Sequence, residues 1–310
     1  PVAEELKRKL NFVSFIQSTN QEIIANEVQK ITTGNALLLE NVRLFPGETE
    51  NLASLALFFA SLGDIYINDA FSVSHRNHAS VTGVATHLLS FIGPTCAREL
   101  THLSPILTPK KPALLLIGGA KISTKLSLIN RYLDQGVQVF VGGAMVHNIL
   151  LARGLSVGKS LFDKDSNVPQ EVANHPNLLT PIDVVLTTGE TVPVDQVPSD
   201  GIIIDCGKDT LTMLDKPIEE AETIIMNGPL GLYEKGWMHG TEYVLTKLGQ
   251  RPKRVTYIGG GDTVAAASKI HCLDKIGFVS LGGGAMLDYL ASGTLVGIDA
   301  VTESKIDGYN

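Results

Sequence analysis

Two lysines four residues apart, Lys121 and Lys125, follow a glycine pair in GGAKISTK (118–125). On one helical face near an N-terminus, their ammonium groups would oppose the helix dipole and call for an anion between them. A solvated basic face is the competing account. The position of the pair, just after an apolar run in an acidic chain, favours the anion. GGGDT (259–263) adds three glycines that admit close backbone approach, a carboxylate, Asp262, that can reach a magnesium ion, and Thr263, which can cap a helix or bond a phosphate. An ordinary Asp N-cap after a glycine turn would use the same residues. LGGGAM (281–286) repeats the device in Gly282, Gly283 and Gly284 without a carboxylate, which aims a helix terminus at transferring charge. NGPLGLYE (227–234) sets Asn227 and Glu234 around a Gly-Pro turn. Glu234 can bond ribose hydroxyls, although a loop glutamate facing water is the plainer reading. ENVRLF (40–45) and SHRNHAS (74–80) place Arg43 and Arg76 at or just past the ends of strands expected to be buried. A guanidinium there is unfavourable unless it grips a carboxylate or phosphate. His75 and His78 lack metal-ligand spacing and read as polar lining. GLSVGKS (154–160) is one residue short of a Walker A loop and follows a helix, so it is not one.

The elements that position these residues are legible. Five apolar runs end in glycine where helical spacing begins: 113–123, 137–150, 224–234, 255–267 and 278–290. Continuous aliphatic runs of this kind read as parallel strands buried on both faces. Five such junctions place five strand ends along one edge of an open sheet, lined with helix N-termini that suit phosphates. Ahead of them, residues 1–10 read as a helix and 12–17 as a strand. A helix over 47–63, flanked by strands at 37–45 and 64–71, predicts a β–α–β unit. Residues 94–107 read as a helix leading to PKKP (109–112), the best sequence candidate for a domain boundary.

Composition narrows the partners. The 310 residues are 44% hydrophobic and 18% charged, enough for two cores. A net charge of −7 argues against nucleic acid as the main partner. Cys96, Cys206 and Cys272 fit neither a disulfide framework nor paired zinc ligands, so buried thiols in a reducing cytoplasm are expected. No apolar run reaches the roughly 18–20 residues of a membrane span, and no signal peptide is visible.

Taken together, LLENVR, DAF followed by HR and HAS, GGAKISTK, GKSLFD (158–163), NGPLG with Glu234, GGGDT and GGGA resemble the phosphoglycerate kinase family. They occur in its order and at about its spacing over nearly the whole chain. The resemblance implies an α/β fold of two Rossmann-like three-layer α/β/α domains with parallel sheets joined by a helix. The boundaries it implies are a partial phosphoglycerate-binding domain over 1–92, an interdomain helix over 93–108, a nucleotide-binding domain over 109–293 and a tail over 294–310 returning toward the first domain. It implies phosphoryl transfer between 1,3-bisphosphoglycerate and ADP, giving 3-phosphoglycerate and ATP with Mg²⁺, by a cytoplasmic monomer with no nucleic-acid or membrane partner. By resemblance, Arg43 and Arg76 grip the phosphoglycerate. Lys121 follows the transferring phosphoryl group, and Lys125 lies on the nucleotide phosphates with Asn227 nearby. Glu234 matches the ribose contact, while Gly260, Gly261, Asp262 and Thr263 match the phosphate and magnesium loop. Gly282, Gly283 and Gly284 match the glycines facing the reaction centre.

The chain also departs from the family pattern. The family's Asp-Phe-Asn strand, catalytic arginine and Ser-His-Leu-Gly-Arg turn have no counterpart before PVAEEL. An incomplete first domain and low catalytic power are therefore expected, with residues 1–92 poorly stable and 109–293 able to fold alone. Met226, Lys208 and Val296 stand where the family usually has tryptophan, proline and Leu-Pro-Gly. A non-catalytic nucleotide-binding module is the second reading. A dinucleotide-dependent oxidoreductase is the third, weakened because only Gly259 and Gly261 fit G-x-G-x-x-G, with Val264 in the last place.

Overall fold

The computed structural model describes residues 2–304, except for the side chains of Glu234 and Arg254. The chain divides into two compact units. Residues up to Ala97 and from Thr294 onward form one, and Arg98–Gly293 the other. The division falls inside a helix, ahead of PKKP, which leads into the first strand of the second unit.

The first unit begins with α1 (Val2–Lys9), β1 (Val13–Phe15), α2 (Gln21–Val28) and β2 (Ala36–Leu38). It continues through α3 (Ala53–Ala60), β3 (Ile65–Asn68) and β4 (Leu89–Ile92). The Asn20 side chain accepts the Ile23 N–H and starts α2. β1 pairs with β2 and β3 with β4, both parallel, as two separate two-stranded sheets. The β–α–β unit expected from 37–45 and 64–71 does not form one sheet. Instead β2 stops at Leu38, and the chain winds into a 3₁₀ turn, Val42–Leu44, that carries Arg43. α3 starts later than expected because Gly47 and Asn51, both with positive φ, turn the chain ahead of it. Ile24, Phe45, Leu55 and Ala79 form the buried core of this unit. One face of the β3–β4 pair stays open, with Ile65, Ile67 and Phe91 each about half exposed.

α4 (Pro94–Leu103) spans the division. The second unit then runs β5 (Ala113–Ile117), α5 (Leu126–Asp134), β6 (Gln138–Val141), α6 (Val146–Ala152), α7 (Gln170–Ala173) and β7 (Leu178–Leu179). A three-stranded antiparallel sheet follows, made of β8 (Asp183–Leu186), β9 (Thr191–Pro193) and β10 (Ile203–Cys206). After it come α8 (Lys208–Met213), α9 (Asp215–Glu220), β11 (Thr223–Asn227), α10 (His239–Leu248), β12 (Thr256–Gly259), α11 (Gly261–Lys269), β13 (Phe278–Ser280) and α12 (Gly284–Ser292).

All five glycine-ended runs are strands of one six-stranded parallel sheet, ordered β13-β12-β11-β5-β6-β7. ALLLI and TIIMN, next to each other at its centre, are buried at every position. This is the signature of strands with both faces covered. Leu114, Leu116, Phe140, Ile224, Met226 and Ile258 anchor the core. α13 (Val296–Glu303) belongs to the first unit, where the Gly297 N–H donates to the Ser74 carbonyl at 2.8 Å and Asn68 Nδ2 to the Gly297 carbonyl at 3.2 Å. Cys96, Cys206 and Cys272 are all buried.

Candidate active site

The strand order reverses between β5 and β11: β6 and β7 extend the sheet on one side, β12 and β13 on the other. Loops leaving neighbouring strand ends part at such a point and open a crevice toward helix N-termini. Lys125 lies there. Its Nζ donates to the Gly118 carbonyl at 2.6 Å and to Asn227 Oδ1 at 3.3 Å, joining the loops after β5 and β11. Burial pushes its pKa down to about 8, against the opposing pull of the Asp262 carboxylate. Asn227, the last residue of β11, is buried, and its Nδ2 has no hydrogen-bond partner among the described residues. The two loops touch backbone to backbone. A Cβ on Gly228, whose φ is +90°, would overlap the Gly118 carbonyl and stand 3.1 Å from Lys125 Nζ.

The structure corrects the helical placement of the lysine pair. Residues 118–125 form a loop, with Gly119 at φ +117° and a turn closed by the Lys125 N–H on the Ile122 carbonyl. Lys125 is the N-cap position of α5, and Lys121 is exposed in the loop before it. The loop is fastened by Asp163, whose Oδ2 accepts from Ser123 Oγ at 2.6 Å and Ser123 N–H at 3.3 Å. The Ser123 hydroxyl holds the Asp163 pKa down, helped by the charge of Lys121.

After β12, Gly260 turns at φ +91° and α11 starts at Gly261. Asp262 is exposed in the first turn of α11, where backbone N–H groups lack intrahelical partners. Thr263 is fully buried, and its hydroxyl accepts the Gly228 N–H at 2.7 Å. That hydroxyl links α11 to the β11 loop instead of standing open to a ligand. After β13, Gly282 is buried, Gly283 is the N-cap of α12 at φ +54°, and Gly284 is exposed. Glu99 of α4 holds this turn, accepting from Ser280 Oγ and from the Leu281 N–H, both at 2.8 Å. Glu234 lies in the 3₁₀ turn Tyr233–Lys235, with its side chain outside the described residues.

Two features escaped sequence reasoning. One is the tether made by Glu99. The other is a cleft of about 300 Å³ whose lining runs from Gly119 and Asp262 to an apolar wall of Val184, Ile203, Pro229 and Leu230. Apolar residues scattered over separate loops leave no local sequence signal. Among the described residues, no cluster of three or more His, Cys, Asp or Glu could enclose a metal ion. A lone carboxylate such as Asp262 suits magnesium that arrives on a polyphosphate and keeps most of its water.

In the first unit Arg43 and Arg76 are both exposed, so the desolvation cost expected for buried guanidinium groups does not arise. They do converge. Burial and then the charge of Arg43 push the His78 pKa down, with smaller contributions from Arg76 and His75, while Glu48 opposes. Glu48 is buried, takes the Ser80 N–H at 3.0 Å and its hydroxyl at 2.6 Å, and stands 3.8 Å from His78 Nδ1.

The model of the phosphoglycerate kinase family matches residues 1–293. The chain belongs to the phosphoglycerate kinase family. It is 37% identical to the phosphoglycerate kinase of Pelotomaculum thermopropionicum over 297 residues, which covers 91% of this chain and 75% of that protein. The phosphoglycerate kinase of Macrococcus caseolyticus is 34% identical over 320 residues, 98% of this chain and 81% of that one. The solved phosphoglycerate kinase of Coxiella burnetii superposes with a TM-score of 0.81 at 34% identity, covering 98% of this chain and 80% of that structure. The family is one of phosphotransferases, and among the described residues no helix is long and apolar enough to cross a membrane.

Proposed function

We propose that this chain moves a phosphoryl group between 1,3-bisphosphoglycerate and ADP, forming 3-phosphoglycerate and ATP in the glycolytic direction. The observation that carries the reading is Lys125: a partly desolvated ammonium at the point where strand order reverses, among glycine turns that expose backbone N–H groups. A polyphosphate is the anion such a crevice fits. The purine and ribose occupy the apolar cleft, with Glu234 on the ribose. Lys125, Asn227 and the first turn of α11 (Gly260, Gly261, Asp262) hold the phosphates. Asp262 takes magnesium, which when bound neutralises charge on the phosphate oxygens. Lys121, exposed on its loop, follows the transferring group, and the turn at Gly282, Gly283 and Gly284 offers N–H groups to the developing charge. In the first unit, Arg43 and Arg76 grip the acid.

The chemistry asks little covalent work of the protein. An oxygen of the ADP β-phosphate attacks the phosphorus, and the carboxylate of 3-phosphoglycerate leaves with its electron pair. Positioning and charge stabilisation lower the barrier. A monomer in the cytoplasm completes the reading. The test is a coupled assay of ATP formation from 1,3-bisphosphoglycerate and MgADP. ATP appearing in proportion to protein supports the activity. ADP binding without any ATP formed overturns transfer and leaves only a binding module.

A further inference from the structure

His147, in α6, belongs to the wall of the apolar cleft and is only 3% exposed. Its Nδ1 lies 2.5 Å from the Leu161 carbonyl oxygen. A carbonyl can only accept, so Nδ1 carries the proton. Burial lowers the pKa of the ring and keeps it neutral, which leaves Nε2 as a bare acceptor. Nε2 is buried and has no hydrogen-bond partner among the described residues. An orphaned acceptor of this kind is destabilising until something donates to it. Cys206 and Tyr233 are the lining residues whose side chains carry a donor besides the ring itself, and among the described residues neither bonds Nε2.

We propose that His147 is a base-reading residue, whose Nε2 accepts a hydrogen bond from the 6-amino group of an adenine nucleotide bound in the cleft. The inference rests on the reading of that cleft as the nucleotide site. The chemistry of the base narrows the donor. An adenine joined to ribose through N9 has N–H groups only on its 6-amino substituent. Hypoxanthine and guanine carry a carbonyl oxygen at the same position. Two acceptors facing each other in a dry cleft leave both unpaired, which is how a site built around one hydrogen bond rejects an analogue. A histidine packed only to fill the core would be indifferent to this exchange of amine for carbonyl.

Calorimetric titration of the full chain with MgADP and MgIDP tests the proposal, in the wild type and in His147→Phe, which keeps an aromatic ring and removes both nitrogens. The wild type should bind MgADP about tenfold more tightly than MgIDP. In His147→Phe the MgADP affinity should fall by about fivefold to tenfold, while MgIDP binding changes less than about twofold, so the preference disappears. A second measurement needs no variant: the ¹⁵N signal of the unprotonated His147 ring nitrogen should move on adding MgADP and stay with MgIDP. Equal binding of the two nucleotides by the wild type, an undiminished preference in His147→Phe, or a signal unmoved by MgADP would each overturn the role of His147 while leaving the nucleotide site standing. If neither nucleotide binds the wild type, the reading of the cleft fails, and this inference with it. Should His147→Phe fail to fold, the ring-nitrogen signal of the unaltered chain decides.

Discussion

The Lys125 ammonium sits 3.3 Å from Asn227 Oδ1, across the gap between the loops that leave β5 and β11. Its shorter bond, to the Gly118 carbonyl, is to a neutral dipole. The carboxylate of Asp262, which acts on it, does not offset the loss of hydration. On the proposed reading, such a cation awaits an anion.

Lys125→Met should therefore separate binding from folding. A charge-assisted bond to phosphate contributes about 1.5–3 kcal/mol, so MgADP affinity should fall at least about tenfold. Thermal stability should change little, because relief of a desolvated charge offsets the loss of the bonds to the Gly118 carbonyl and Asn227 Oδ1. Titration calorimetry and a melting curve read the two effects. A large drop in melting temperature would assign Lys125 to the fold.

The same group sets a pH dependence. Free Lys125 loses its proton near pH 8, whereas bound phosphate stabilises the charged form and raises that value. Nucleotide affinity should be greatest below about pH 8 and decline above it, with proton uptake on binding near pH 8. Titrations in buffers of different ionisation heat measure the uptake, which Lys125→Met should abolish. Stability follows the opposite slope. The folded pKa lies below the ordinary lysine value of 10.5, so the penalty of the buried charge is complete below about pH 8 and fades toward 10.5.

Gly228→Ala tests the backbone contact between the loops. The substitution forces a side chain to φ +90° and drives its Cβ into the Gly118 carbonyl. Gly189, at φ +85° with nothing within 4 Å, is the control. Gly189→Ala should lose roughly 1–2 kcal/mol from backbone strain alone, and Gly228→Ala about 3 kcal/mol or more. Denaturant unfolding of both variants gives the comparison. Equal losses would show that the loops can part freely.

How much of this was readable from sequence follows burial. ALLLI and TIIMN are covered on both faces, so hydrophobicity alone marks them as strands, and the edge where they end in glycine followed from that. The strands of the first unit are only three or four residues long and partly exposed, and their pairing into two separate sheets left no pattern to read. GGAKISTK was misplaced on a helix because lysine spacing fits one, whereas the positive φ of Gly119 and the turn at Ile122 keep 118–125 out of helical form. The antiparallel sheet of β8, β9 and β10 was missed because short strands around a TTGE turn look like a loop. His147 gave no signal, since a lone histidine on an apolar helix reads as packing.

Glu99 should matter to the turn after β13 more than its place on a helix suggests. Glu99→Ala strands the Ser280 hydroxyl and the Leu281 N–H, at a cost of roughly 3 kcal/mol, while Glu99→Gln keeps an acceptor and should lose about 1 kcal/mol. Hydrogen exchange at Gly282–Gly284 should quicken in the alanine variant. Unchanged exchange there would remove Glu99 from the account of the turn.

The first unit should yield to protease before the second. Its sheets are two strands wide, and Ile65, Ile67 and Phe91 are exposed on one face. Limited proteolysis followed by mass spectrometry should cut within residues 1–97 and leave a resistant fragment over 98–293. Equal resistance of both units would contradict the expectation.

The most direct measurement is calorimetric titration of the purified chain with ADP, with and without magnesium. Saturable uptake at one site is expected, and it should strengthen when magnesium is present. Heat indistinguishable from dilution in both titrations would mean that the strand-end crevice around Lys125 is no polyphosphate site.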